Sequence, residues 1–229
     1  MQFFNKNAVA FNVRGLPVIL LPEKAVYLPD FKAILLSDLH LGKINHFRKS
    51  GIPVPARAQE ASLENLLDLI LQIKPEQIIF LGDLFHSHYN SAWESFGQLI
   101  TTFSNIQFDL VSGNHDILTD HQYLKNGIKL HQEIRITDQI LLRHESVAPD
   151  GSDDLFQICG HIHPAVRLKG KGLRGEKFPC FWITKTAMIL PAFGVFTGVH
   201  CITPKKGDRV FFIADKKVID GQTLTARPS

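Results

Sequence analysis

KAILLSDLHLGK, residues 32–43, packs an apolar run directly against Asp38 and His40. A short, continuous apolar run of this kind is the mark of a strand buried on both faces, as in the interior of a parallel sheet. A carboxylate and an imidazole placed just after it stand at the carboxyl end of the strand. Ligands of open α/β sheets collect at that edge, because the loops converge there.

The same pattern recurs outward from this stretch. Gln77–Leu81 (QIIFL) is a second buried strand and ends at Gly82-Asp83, and Ile106–Val111 is a third and ends at Gly113-Asn114-His115-Asp116. Between them, Pro53–Ile73 places Leu63, Leu66, Leu67, Ile70 and Leu71 at three-four spacing, which predicts a helix; Ala92–Phe103 predicts another. The first half is therefore strand, helix, strand, helix, strand, the order of parallel βαβ units.

The second half reads differently. Ile128–Leu130, Glu133–Ile136, Gln139–Arg143, Phe156–Cys159, Ala165–Leu168, Phe178–Thr184, Ala187–Leu190 and Val210–Ile213 are short strand candidates, separated by turns such as Lys169–Gly175 and Thr203–Asp208. Their close spacing predicts antiparallel sheet. With no linker visible, both halves are expected to share one core as a single domain, 1–229, of α/β (α+β) class, with two sheets face to face and helices outside.

Composition fits that reading. A chain of 229 residues is long enough for one sizeable core, and 45% hydrophobic with 21% charged residues is ordinary for a globular domain. The net charge of +3 gives no argument for nucleic acid, since binders of that kind carry a strong local basic patch. Cys159, Cys180 and Cys201 are odd in number and far apart, which argues against a disulfide framework or a zinc ribbon and suits a reducing cytosol. The start MQFFNKNAVAFNV lacks the pattern of a secretory signal, and runs such as Pro17–Pro22 are far too short to span a bilayer. The expectation is a soluble cytoplasmic protein with no membrane partner.

Five strand ends carry the chemistry. Asp38 and His40 follow KAILLS, Asp83 follows QIIFL, Asn114 and His115 follow FDLVS, His144 follows QILLR, and His161 and His163 follow LFQIC. Carboxylate, amide and imidazole donors together favour manganese, iron or zinc over calcium or magnesium, whose ligands are nearly all oxygen. One aspartate between two ions can bridge them with its two oxygens. Such pairs, about 3.5–4 Å apart, clamp the attacking and departing oxygens of a phosphoryl displacement and acidify the water between them.

In order, Asp38-Leu39-His40, Gly82-Asp83, Gly113-Asn114-His115-Asp116, His144 and Gly160-His161-Ile162-His163 resemble the signature of the calcineurin-like metallophosphoesterases. The resemblance implies a four-layer α/β/β/α sandwich of two mixed sheets and two divalent ions, manganese first, with iron or zinc as alternatives. It implies that Asp38, His40 and His163 hold one ion, that Asn114, His144 and His161 hold the other, and that Asp83 bridges. His115 is then a proton donor to the leaving group and Asp116 the carboxylate that orients its ring. A narrower set of strings, SDLHLGK (37–43), HFRKSGIPVP (46–55), GDLFHS (82–87), GHIHP (160–164), PCF (179–181) and LPAFGVFTG (190–198), is similar to the bacterial ligase-associated DNA damage response endonucleases. That resemblance implies a phosphodiester substrate in DNA, and a DNA ligase, a helicase and an exonuclease of the same repair system as partners.

Around the ligands, Lys43 and Arg48 are placed to reach a substrate phosphate, Arg48 by a bidentate grip, and His86 to contact substrate. The basic turn with Lys169, Lys171, Arg174 and Lys177 is either a flexible backbone-tracking hairpin or a solvated turn that keeps an edge strand soluble. LPAFGVFTG is expected to pack under the metal loops. The same ligands serve a small nucleotide, dinucleoside polyphosphate or nucleotide-sugar substrate as well as DNA, and a scaffold without catalysis would lack several of them. Protein phosphatases carry further arginine motifs not found here. A symmetric homodimer is the commonest alternative to a monomer.

Overall fold

The computed structural model describes residues 6–43, 57–86, 91–148, 155–170 and 173–222. Two mixed sheets pack face to face. The first has seven strands in chain order: β1 Val9–Val13, β2 Leu16–Leu21, β3 Ala25–Leu28, β4 Ala33–Leu36, β5 Gln77–Leu81, β6 Gln107–Val111 and β7 Ile128–His131. The run from β1 to β4 is antiparallel, and β4 to β7 is parallel. The sequence alone does not mark β1 to β3 as strands, and they extend the sheet as a meander on one side.

The second sheet contains β8 Ile134–Thr137, β9 Ile140–Leu142, β10 Phe156–Cys159, β11 Pro164–Gly170, β12 Leu173–Ile183, β13 Ala187–Ile189, β14 His200–Cys201, β15 Arg209–Ala214 and β16 Lys217–Asp220. The second half is not uniformly antiparallel, contrary to what its spacing predicts. β7 joins the first sheet beside β6 in parallel, and β10 is flanked in parallel by both β9 and β13. All the side chains of β10 and β13 are buried, so neither shows the polar–apolar alternation that would separate the two pairings. The hairpin of β11 with β12, and β12 with β15, are antiparallel as expected.

Among the described residues three α-helices accompany the sheets: α1 Arg57–Ile73, α2 Ser91–Thr102 and α3 Asp120–Lys125. One core layer packs Leu66, Leu69 and Ile70 of α1 and Trp93 and Phe96 of α2 on Ile34, Ile78, Phe80 and Phe108. The stripe on α1 is rotated from the expected one, since Leu67 and Leu71 are exposed. The second layer fills the space between the sheets with Leu35, Ile79, Leu81 and Val111 against Leu142, Ile158, Phe181 and Met188. Among the described residues the helices lie on the outer face of the first sheet. None of those helices is long and apolar enough to cross a membrane.

The alternation of strand and helix fixes where function can sit. β4, β5 and β6 run parallel in register, so their carboxyl ends lie side by side. β9 and β10 do the same in the facing sheet. Two rows of strand ends therefore open on one rim.

Candidate metal centre

The loops leaving β4 and β5 are zipped together: His40 N–H donates to the Asp83 carbonyl (2.9 Å), Leu41 N–H to the Leu84 carbonyl (2.9 Å) and Asp38 N–H to the Gly82 carbonyl (3.1 Å). The facing sheet joins through His161, whose N–H donates to Asp38 Oδ2 at 3.0 Å. Such crowding leaves no room for a side chain at Gly160, where a Cβ would lie 2.5 Å from Asp38 Oδ2. Gly82 is in the left-handed region (φ +79°), and a Cβ there would collide with the His144 ring. Asp38, His40, Asp83, His161 and His163 also have positive φ, between 48° and 69°. Non-glycine residues held this way cost of order 1–3 kcal/mol each and gather at functional sites.

The side chains form two groups. Asp38, His40 and His163 converge in one, and Asp83, His144 and His161 in the other, with ligand atoms in each group all within 4.8 Å of one another. Asp83 faces both: Oδ1 is 3.4 Å from His144 Nε2, and Oδ2 is 3.7 Å from His40 Nε2. Asn114 joins the second group with Oδ1 3.1 Å from His144 Nε2. All seven candidate ligands are thus brought to one place.

The protonation pattern shows what the place accepts. His144 Nδ1 lies 2.9 Å from the Leu81 carbonyl, which can only accept, so the proton of the neutral ring is on Nδ1 and Nε2 presents a lone pair. That lone pair points at the Asn114 oxygen, at His161 Nδ1 (3.1 Å) and at an Asp83 oxygen. The first group repeats the design. His163 Nδ1 bonds the Gly198 carbonyl (2.9 Å), leaving Nε2 to face Asp38 Oδ1 (3.2 Å) and His40 Nε2 (3.3 Å). Asp38 Oδ1 is buried without a hydrogen-bond partner. Lone pairs aimed at one another from buried groups call for a cation between them. Burial, reinforced by Lys43 and neighbouring histidines, pulls the His40 pKa down to about 2, so its ring is neutral and available as a donor. Burial works against charge on His163 as well, yet Asp38 and the Gly198 carbonyl outweigh it and raise its pKa. The donor set of imidazole nitrogens and carboxylate and amide oxygens fits divalent manganese, iron or zinc.

Around this floor, His115 stands half-exposed with Nε2 4.0 Å from Asp83 Oδ2. Its ring packs on His86, centroid to centroid 4.1 Å. Lys43 is half-buried, close enough to Asp83 and Asp38 that their charges raise its pKa against a larger lowering by burial. Arg48 lies outside the described residues, as do Lys171 and Gly172.

Asp116 does not do what the sequence suggested. Rather than orienting the His115 ring, its carboxylate accepts four backbone N–H groups: Asp83 (2.9 Å) and Gly113 (2.8 Å) on Oδ2, Leu84 (2.9 Å) and Phe85 (3.1 Å) on Oδ1. Tyr123 O–H adds a longer contact to Oδ1 (3.4 Å). Burial pushes its carboxyl up to about 6 against these donors, so it is charged at neutral pH. Asp116 ties the Asp83 loop to the Asn114 loop. Asp116→Ala strands those donors, and it is expected to cost about 3 kcal/mol, a fall in Tm of roughly 6–12 °C in thermal unfolding. An unchanged Tm would show that water replaces the carboxylate.

Other supports were invisible in the sequence because they are backbone atoms: the Leu81 and Gly198 carbonyls that set the tautomers of His144 and His163. The buried start of the turn at 190–198 packs against the metal loops, with Phe193 N–H on the Ser37 carbonyl (2.9 Å) and Gly194 N–H on the Asp38 carbonyl (3.1 Å), whereas Val195, Phe196 and Gly198 are exposed.

Two sheets that bring two groups of N and O donors to their shared rim define a candidate divalent-metal protein. Comparison with known proteins agrees. Residues 31–165 match the family described as calcineurin-like phosphoesterase. The chain belongs to the calcineurin-like phosphoesterase family. Among solved structures it is similar to Pseudomonas putida nuclease MPE, with 28% identity and a TM-score of 0.75 over 93% of this chain and 100% of that one. Among curated proteins it is similar to Metallophosphoesterase 1 of Cricetulus griseus, 26% identical over 182 residues. That match takes in 72% of this chain, which spans 45% of the length of that relative.

Proposed function

We propose that the protein hydrolyses phosphodiester bonds on a dinuclear centre, and that DNA or a nucleotide is the substrate. Asp38, His40 and His163 would hold one ion, Asn114, His144 and His161 the other, and Asp83 would share its two oxygens between them. The observation that carries this reading is the placement of Asp83, with one oxygen toward each histidine group. When bound, such an ion pair polarises the phosphoester and acidifies water at neutral pH.

The chain's own residues do the rest. His115, at the mouth and not among the converging donors, gives a proton to the departing oxygen. His86 holds the His115 ring in place by packing against it. Lys43 offers a positive charge to a non-bridging phosphate oxygen at the rim. Likeness to a nuclease over 93% of the chain favours a nucleic-acid phosphodiester over a small metabolite. Manganese as the ion, a place in cytoplasmic DNA repair beside a ligase, a helicase and an exonuclease, and a symmetric homodimer belong to the same proposal.

The test is a panel of bis(p-nitrophenyl) phosphate, single-stranded DNA, duplex DNA and cyclic nucleotides, assayed with manganese, iron and zinc and again in EDTA. The expected result is cleavage of DNA that EDTA abolishes and manganese restores. Turnover of the small substrates alone would remove the nuclease reading, and activity unchanged in EDTA would remove the metal reading.

A further inference from the structure

The turn that follows the last candidate ligand loop has an apolar surface that the hydrolytic chemistry does not use. Phe193 is buried at 2% exposure, but Val195 and Phe196 are each 41% exposed and Val199 36%. An isolated exposed apolar residue needs no explanation, whereas three on one turn do.

This turn is fixed to the site at both ends. Gly194 N–H donates to the Asp38 carbonyl at 3.1 Å, and the Gly198 carbonyl accepts from His163 Nδ1 at 2.9 Å. Between these anchors Val195 N–H bonds Ser62 Oγ (3.1 Å), and Thr197 Oγ1 bonds the Gly194 carbonyl (2.9 Å). Phe196 is two residues from either anchor, so its Cα lies within about 7 Å of both Gly194 and Gly198. Both anchors bond candidate ligand residues, Asp38 and His163, so the turn borders the metal site. An exposed aromatic ring on a braced turn has little freedom to lose on binding, which suits it to a flat ligand.

We propose that Phe196 is a specificity-determining residue: a stacking platform for the nucleobase adjacent to the scissile phosphate, with Val195 and Val199 widening the apolar surface. This inference rests on the phosphodiesterase reading and adds to it the part of the substrate held outside the metal centre. Base–aromatic stacking tolerates any base, because every base has a π face, so Phe196 selects nucleoside esters without selecting sequence.

The test compares thymidine 5′-(p-nitrophenyl phosphate) with methyl p-nitrophenyl phosphate on the manganese-loaded protein. Both share the leaving group, so any contact it makes cancels in the ratio. Wild type is expected to prefer the thymidine ester. Phe196→Ala is expected to lower kcat/KM for that ester roughly 5- to 100-fold, mainly through KM, and to leave the methyl ester unchanged. Phe196→Tyr and Phe196→Trp are expected to keep the preference. An equal loss on both esters, with metal content intact, would make Phe196 a brace for the loop and overturn the proposal. So would no loss on either. Failure of wild type to hydrolyse either ester would bring down the phosphodiesterase reading, and this inference with it, whereas hydrolysis of both without preference would sink this inference alone.

Discussion

Asp83→Asn is expected to leave the protein folded, to empty both metal positions at micromolar manganese, and to cut phosphodiester hydrolysis by about 10³-fold or more. The reason lies in the two directions its oxygens face. Oδ1 lies 3.4 Å from His144 Nε2 and also accepts the His115 N–H (2.9 Å), while Oδ2 lies 3.7 Å from His40 Nε2. An asparagine keeps one oxygen and turns the other position into a donor, so one of the two histidine groups meets an N–H where it needs a lone pair. It also removes one of two buried negative charges that would balance the ions. The fold should survive, because the zipper between the β4 and β5 loops uses backbone atoms of Asp83 and not its carboxylate. Metal analysis after gel filtration checks the prediction: two ions retained per chain would show that Asp83 does not bridge.

His115→Ala is the complementary case. Its ring stands half-exposed at the mouth and its Nε2 lies 4.0 Å from Asp83 Oδ2. Removing it should leave metal content and Tm near those of wild type and lower turnover by about 10²–10⁴-fold, the usual worth of a general acid. A substrate with a good leaving group needs less help from the acid, so the loss on a p-nitrophenyl ester should be much smaller than the loss on DNA. An equal loss on both, or a loss of metal, would make His115 structural support. His86→Ala gives a milder version by loosening the ring it packs against.

How much could be read in the sequence follows from which atoms do the work. Asp38, His40, Asp83, Asn114, His144, His161 and His163 were legible because each follows an apolar run, and strands in register deliver whatever follows them to one rim. β1 to β3 were missed: Pro17 and Pro22 punctuate the β2 stretch, and the pairing that makes it a strand comes from its neighbours. The parallel placing of β10 between β9 and β13 was illegible for a related reason, since three- and four-residue strands buried on every side chain carry no periodicity to read. Asp116 misled because adjacency to His115 suggested a ring contact. The turn after Gly113 instead carries its carboxylate back onto the N–H groups of residues 83–85 and 113. The tautomer-setting carbonyls of Leu81 and Gly198 belong to no side chain and leave no trace in residue types.

The central claim is that two ions sit on either side of Asp83, and anomalous diffraction from crystals grown with manganese tests it most directly. Two manganese peaks about 3.5–4 Å apart, one against Asp38, His40 and His163 and the other against Asn114, His144 and His161, are the predicted result. A single peak, or two that do not share Asp83, would contradict it.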